Sequence, residues 1–342
     1  MAKKSVTIRD IAEKAGVSKS LVSFVMNNSI GADGKKRYRV SDVTRERILK
    51  VAAEMDYQPN SAARALRKGR SRVIGAILSD MANIFYGIIA RELENVAAKH
   101  GYTVLFGSTD EDPRKFEQLV RSFIDKDVEG FIIVPCEGSG PSLQYLVKTR
   151  YPFVVIDRHH PDFQIPSVLT DNADMVDQAL RILGQQDCRN IEMVTYGMRV
   201  SSMTDRENRF RERMGGEKAE SHIYRLPFDR VEEEAENVAN QVAARGTDGL
   251  ILASNVLSVA VIKALLRRGI HPQRDIRLVG FDYSNVYEVF DPPIPYIVQP
   301  LEDITRQAAD YLLKIIEVKE RGEDISGMKD VSVLKGIVQE YK

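Results

Sequence analysis

Along the first 28 residues the apolar positions recur at helical spacing. Ile8, Ile11, Ala12 and Ala15 share one face, and Val22, Val25 and Met26 share another. The pattern predicts two short helices joined by a tight turn at Gly16, a residue suited to the left-handed conformation that ends a helix. Thr7 with Asp10 three residues on reads as a capping box, and Ser18 as the cap of the second helix. The outer face of that second helix carries Lys19, Ser20, Ser23, Phe24 and Asn27. A three-turn helix gains little by showing such a face to water, whereas in a major groove it supplies base-edge and phosphate contacts. A capped helical hairpin in any small bundle fits the same pattern. Ser41 then predicts a third helix through Asp56, with Ile48, Val51, Ala52 and Met55 inward, enough for one small core.

Two stretches of this region lack an inward face. Residues 29–39, SIGADGKKRYR, read as a basic loop able to touch phosphates or simply to be solvated. In YQPNSAARALRKGR (57–70), Asn60 can cap an alanine-rich run that Gly69 stops. Two turns are too few for a stable isolated helix. Arg64, Arg67 and Lys68 surround Leu66 with little apolar bulk. The expectation is a linker that orders on DNA, Leu66 wedging between base steps in the minor groove; a plain interdomain helix is the alternative.

From Val73 the period changes. Nearly all-apolar runs of strand length (73–78, 103–108, 130–135, 153–157) alternate with amphipathic segments near 85–99, 113–126 and 141–149. A second series follows, with strands at 191–196, 222–227, 249–254 and 276–282 and helices near 173–185, 204–214, 231–245 and 256–268. Such alternation predicts parallel sheets covered on both faces, and two series predict two similar α/β lobes with a cleft between them. Ligands of such sheets sit at the carboxyl ends of the strands. Those ends offer Asp80, Asn83, Asp157, Arg158, Tyr196, Asn255 and Asp282, with Phe85 and Tyr86 just beyond the first. Carboxylates, amides and guanidinium groups beside aromatic faces suit a polyhydroxylated ligand such as a sugar or nucleoside.

Charge sharpens the division. The chain is neutral overall, yet residues 1–72 hold 17 Lys+Arg against 7 Asp+Glu, and the remainder 32 against 42. A basic end on an acidic body points to a polyanion as the partner of that end. No apolar run approaches the length of a membrane span. MAKKSVTIRD lacks the apolar core of a secretory signal, and Cys136 and Cys188 fall in no metal or redox spacing, so a cytoplasmic protein is expected. There is no GxGxxG or P-loop, His159-His160 has no third ligand nearby in sequence, and Cys136 has no indicated partner base. No cofactor, metal or catalytic set is therefore expected. An enzyme on this scaffold would need one, and a transporter's solute-binding component would leave residues 1–70 without a purpose.

The whole chain resembles the lactose-repressor (LacI/GalR) family of bacterial transcription regulators. The resemblance rests on VTIRDIAEKAGVS, VSFVMN, YQPNSAARALRKGRS leading into IGAILSD, and VGFDYSN followed by PPIPYIVQP. It implies a helix-turn-helix headpiece (1–58), a hinge helix (59–72) and a core like the periplasmic sugar-binding proteins (73–342). Lobe one of that core is expected at about 73–170 plus 300–325, and lobe two at 171–299 plus 326–342. It implies a homodimer reading pseudo-palindromic double-stranded operator DNA, its binding modulated by a small carbohydrate effector, a sugar or sugar phosphate. By position, Thr7, Ser18, Ser23 and Asn27 would set the backbone register, Lys19, Ser20 and Phe24 would face bases, and Asn60, Arg64 and Leu66 would act in the hinge. Asn83, Phe85, Arg158, Asp171, Arg206, Asn255 and Asp282 match positions lining the effector cleft. Departures are Leu21 where many members have Thr, Phe24 where Arg is frequent, Val256 where Asp is common, and Arg209 at a usual Gly. The C-terminal VSVLKGIVQEYK shows no heptad tail for a four-chain bundle.

Overall fold

A computed structural model describes residues 6–27, 40–57, 70–216 and 222–339 of the 342. The chain divides into two compact units, residues 1–71 and 72–342. The expected roles of Asn60, Arg64 and Leu66, and of the basic loop, fall on residues outside those described.

The first unit holds α1 (Ile8–Ala15), α2 (Lys19–Asn27) and α3 (Asp42–Glu54). Its ends follow from local chemistry. The Thr7 backbone N–H and hydroxyl both donate to the Asp10 carboxylate at 2.7 Å. Gly16 turns the chain at φ 65°, where a side chain would be strained. The Ser18 hydroxyl oxygen accepts from the Leu21 N–H at 3.2 Å, and that of Ser41 from Thr44 at 3.3 Å. Ile11, Ala12 and Ala15 of α1, Val22 and Val25 of α2, and Ile48, Val51 and Ala52 of α3 form one core.

The second unit contains two six-stranded sheets. The first has strand order β11-β5-β4-β3-β1-β2, from β1 (Val73–Leu78), β2 (Thr103–Ser108), β3 (Gly130–Ile133), β4 (Phe153–Ile156), β5 (Ser167–Thr170) and β11 (Val331–Leu334). The second has the order β12-β10-β9-β8-β6-β7, from β6 (Ile191–Tyr196), β7 (Ile223–Leu226), β8 (Gly249–Leu252), β9 (Arg277–Phe281), β10 (Tyr296–Val298) and β12 (Ile337–Gln339). All pairings are parallel except β10 with β12. Helices α4 (Ile84–Lys99), α5 (Pro113–Ile124), α6 (Gly140–Lys148) and α11 (Leu301–Glu320) belong to the first lobe; α7 (Asn172–Gln185), α8 (Ser201–Arg213), α9 (Val231–Arg245) and α10 (Asn255–Arg267) belong to the second. Central strands such as β3, β4 and β8 are buried at every residue, which is why they read as unbroken apolar runs.

The chain crosses between lobes three times: after Thr170, through Gln299 and Pro300, and through Lys335 and Gly336. The last crossing corrects one expectation. Residues 331–334 pair with β5 in register Val331 to Ser167, so they complete the first sheet and do not belong to lobe two. A four-residue edge strand with Val331 and Val333 exposed carries no apolar run by which to place it. Strands β5, β10 and β12, like β11, are additions to the expected set of strands.

Gly75 shows how tightly β1 is clasped. A Cβ there would lie 2.7 Å from Phe123 and 2.8 Å from Phe131. Gly75→Ala is expected to lower core stability by about 1–3 kcal/mol through overpacking, read from the urea midpoint; an unchanged midpoint would mean the rings can move aside.

Candidate ligand cleft and nucleic-acid interface

The cleft forms where the strands of both lobes end. β4 and β9 each finish in an Asp with left-handed backbone, Asp157 (φ 66°) and Asp282 (φ 63°). Asp tolerates this conformation better than most residues, and in both places it turns the chain out of the sheet at the cleft. Asp157 and Asp282 are buried, with 8% exposure each, as are Arg158 at 6% and Arg206 at 1%. Two carboxylates and two guanidinium groups thus share a space that water scarcely reaches, where unpaired charge is expensive.

Each arginine is held by protein. Arg158 faces Glu111 as a fork, with Nη2 at 2.8 Å from Oε1 and Nη1 donating to Oε2 at 3.0 Å. Nη1 also donates to the Pro135 carbonyl at 3.1 Å, Nη2 to the Tyr86 hydroxyl at 3.4 Å, and Nε lies 3.4 Å from Asp157. Burial opposes the Arg158 charge, yet Tyr86, Glu111 and Asp157 together raise its pKa. Burial raises the pKa of Asp157 and of the Tyr86 phenol, Arg158 opposing in both cases. Arg206 donates from Nε to Asn172 at 2.8 Å and from Nη1 to the Ala253 carbonyl at 2.6 Å, with its guanidinium 4.6 Å above the Phe281 ring. Burial lowers its pKa against the pull of Asp282 and Asp157. Asp282 accepts from Gln299 Nε2 at 2.7 Å, and Gln299 in turn accepts from the Thr170 hydroxyl at 2.7 Å.

Glu111 was not among the expected site residues. It follows β2 on a turn in which Asp110 (φ 50°) and Glu111 (φ 59°) are both left-handed, at roughly 1–2 kcal/mol per residue. The turn is held by Thr109 N–H to the Leu78 carbonyl at 2.9 Å and Asp110 N–H to the Ser79 carbonyl at 2.7 Å. The signal available in the sequence was its place just beyond a strand end.

Other expected residues divide. Asn83, Phe85, Arg158, Arg206 and Asp282 line one cavity, which retains about 50 Å³ of open space, room for a few waters. Asn255 Nδ2 donates to Asn83 Oδ1 at 2.9 Å, joining the lobes directly. Asp171 caps α7, accepting from Asp174 N–H at 2.9 Å, and the neighbouring Asn172 meets Arg206. One residue of offset at a helix start decides which side chain caps and which points inward. At the cleft edge the Ser201 hydroxyl accepts from His159 N–H at 2.8 Å, and Glu137 from Arg199 N–H at 2.9 Å. Burial pushes the Cys136 thiol up to about 12, far from the range of a nucleophile.

On the headpiece, Lys19 and Ser20 are exposed on α2 and Ser23 is half-buried. The Thr7 and Ser18 side chains serve as helix caps. Asn27 closes α2. Phe24 is a second correction: at 7% exposure its ring is buried rather than offered to bases. Removing an aromatic side chain from water is worth about 2–3 kcal/mol, more than a small unit can readily forgo.

A helix-turn-helix unit preceding a two-lobed cleft core defines a DNA-binding regulatory protein, and the comparisons agree. Residues 7–60 match the model for bacterial regulatory proteins of the lacI family, and residues 180–331 that for a periplasmic binding protein-like domain. The ribose operon repressor of Halalkalibacterium halodurans is 30% identical over 313 residues, 92% of this chain and 91% of that protein. The ribose operon repressor of Bacillus subtilis is 29% identical over 91% of this chain and 92% of that protein. The lac repressor dimer bound to operator and the anti-inducer ONPF shares the fold, with TM-score 0.81 at 20% identity over 98% of each chain. The chain belongs to the lacI family of bacterial regulatory proteins. It is a DNA-binding transcriptional regulator and not an enzyme. No described helix is long and apolar enough to cross a membrane.

Burial pushes the Asp282 carboxyl up to about 6, against Arg206 and Gln299. Because this lies above the unfolded carboxyl value of about 3.9, the folded chain binds more protons between roughly pH 4 and 6. The contribution of Asp282 to stability therefore falls as pH rises through that window. A carbon NMR titration is expected to place its midpoint near 6; a midpoint below the unfolded value would show that Arg206 outweighs burial.

Proposed function

We propose that the chain is a cytoplasmic repressor that binds a pseudo-palindromic operator as a homodimer, under control of a sugar or sugar phosphate held in the cleft between its lobes. The observation that carries this reading is the junction of a helix-turn-helix unit to a cleft whose buried charges come from both lobes, Arg158 and Glu111 from one and Arg206 and Asp282 from the other. Two relatives are ribose operon repressors and a third, from Klebsiella pneumoniae, is a sucrose operon repressor. Those names support a carbohydrate as the class of effector. The aromatic pair Tyr196 and Phe228, with ring centres 5.8 Å apart, supplies the apolar wall that the C–H face of a sugar prefers.

The mechanism follows from linkage. Hydrogen bonds from Asn255 to Asn83 and from His159 to Ser201 join the lobes around a cavity with room for a few waters. A ligand that favours one lobe arrangement shifts the population of dimers able to order residues 59–72 on DNA. Couplings of this kind are about 1–3 kcal/mol, a 5- to 150-fold change in operator affinity. Lys19 and Ser20 are the base-reading side chains in this scheme, and Leu66 the minor-groove wedge.

Selection of bound sequences from a random DNA pool, with and without mixtures of sugars and sugar phosphates, tests the whole reading. A palindromic site whose enrichment changes with the mixture is the expected result, and salt-sensitive binding without a consensus would sink it. Arg206→Ala is expected to abolish that change while operator affinity stays within a few-fold; a normal response would displace the effector from this cleft. Leu66→Ala is expected to weaken operator binding at least tenfold more than non-specific binding, and equal losses would remove the wedge role.

A further inference from the structure

The cleft is lined by more carboxyl groups than guanidinium groups. Around the cavity stand four carboxylates, Asp80, Glu111, Asp157 and Asp282, against two guanidinium groups, Arg158 and Arg206. The fork by which an arginine grips a phosphate or carboxylate is already filled on Arg158, because Glu111 occupies both Nη atoms. The remaining donor, Nε, faces Asp157 at 3.4 Å. Arg206 is turned toward Asn172 and the Ala253 carbonyl. Glu111 itself is fastened: the Ser79 hydroxyl donates to it, and its left-handed turn is pinned to the Leu78 and Ser79 carbonyls. The Ser202 hydroxyl is 1% exposed, lines the same cavity, and has no hydrogen-bond partner among the described residues. It is placed to meet a ligand hydroxyl.

We propose that Glu111 is a specificity-determining residue of the cleft: by occupying Arg158 it leaves a pocket that accepts an uncharged polyhydroxylated ligand and rejects a phosphorylated one. The inference rests on the carbohydrate reading above and narrows it to the free sugar. Hydroxyl groups donate to Asp282 and Asp80 as charge-assisted hydrogen bonds and exchange one with Ser202. A phosphate dianion would instead meet four carboxyl groups against two guanidinium groups, with the Arg158 fork already filled.

The test separates this electrostatic claim from the effector reading. Inorganic phosphate is titrated calorimetrically into the full-length chain at constant ionic strength. The wild type is expected to show no saturable uptake in the millimolar range. Glu111→Gln, which frees the Arg158 fork at nearly constant shape, is expected to bind phosphate at least tenfold more tightly, and adding Arg158→Gln to abolish the gain. Asp157→Asn removes the other carboxylate facing Arg158 and is expected to act in the same direction, which covers the case that Glu111→Gln does not fold. No gain in either variant, or wild-type phosphate binding that Arg158→Gln removes, overturns the proposal. So does stronger thermal protection of the wild type by glucose 6-phosphate or ribose 5-phosphate than by the parent sugars. Phosphate uptake by Glu111→Gln in a chain whose operator binding answers to no sugar would leave the role of Glu111 standing and sink the carbohydrate reading instead.

Discussion

Charge buried where the strands end is the constraint on which the core depends. Arg158, Glu111 and Asp157 lie almost out of water within one hydrogen-bonding set. Removing one partner of such a set strands the others, at about 3–5 kcal/mol, so each member must be delivered to its place with little freedom. The backbone does this with left-handed residues at 110, 111, 157 and 282. Each sits immediately or shortly after a strand, where the chain leaves the sheet. Strain accepted at these turns orients the charges, and the charges in turn hold the turns.

The second lobe solves the same problem differently. Arg206 has no close fork partner; an amide oxygen, a backbone carbonyl and the face of Phe281 surround it. Its counter-charge, Asp282, accepts from Gln299, which also takes a hydrogen bond from Thr170. Thr170 and Gln299 stand at two of the three places where the chain passes between lobes. The buried charge of the second lobe is therefore tied to the crossings themselves, and a ligand that alters Asp282 acts on the segments about which the lobes would turn. That arrangement gives the proposed linkage a physical route.

The headpiece illustrates a competition between burial and recognition. Helix α2 presents Lys19 and Ser20 outward, yet Phe24, on the same expected reading face, is buried. The apolar surface of a phenyl ring outweighs whatever position the helical wheel assigns it. Small or cationic groups, Lys19 and Ser20, are left in the exposed places of that face.

Much of the architecture was legible in the sequence because it rests on local rules. The caps at Ser18 and Ser41, the Thr7–Asp10 pair and the left-handed turn at Gly16 are dictated within four residues. Strands buried on both faces, such as 73–78 and 191–196, announce themselves as apolar runs. Strand ends also located Arg158 and Asp282, and motif resemblance added Arg206. What tertiary structure decided is relational. It chose Asn172 over Asp171 as the partner of Arg206, because a helix cap and an inward contact compete at adjacent residues. It placed 331–334 in the first sheet, because a short edge strand takes its position from its neighbour's backbone. It also joined Glu111 to Arg158, 47 residues apart, a pairing no local pattern encodes, since the energy of a buried ion pair depends on which charges the fold brings into the same dry space.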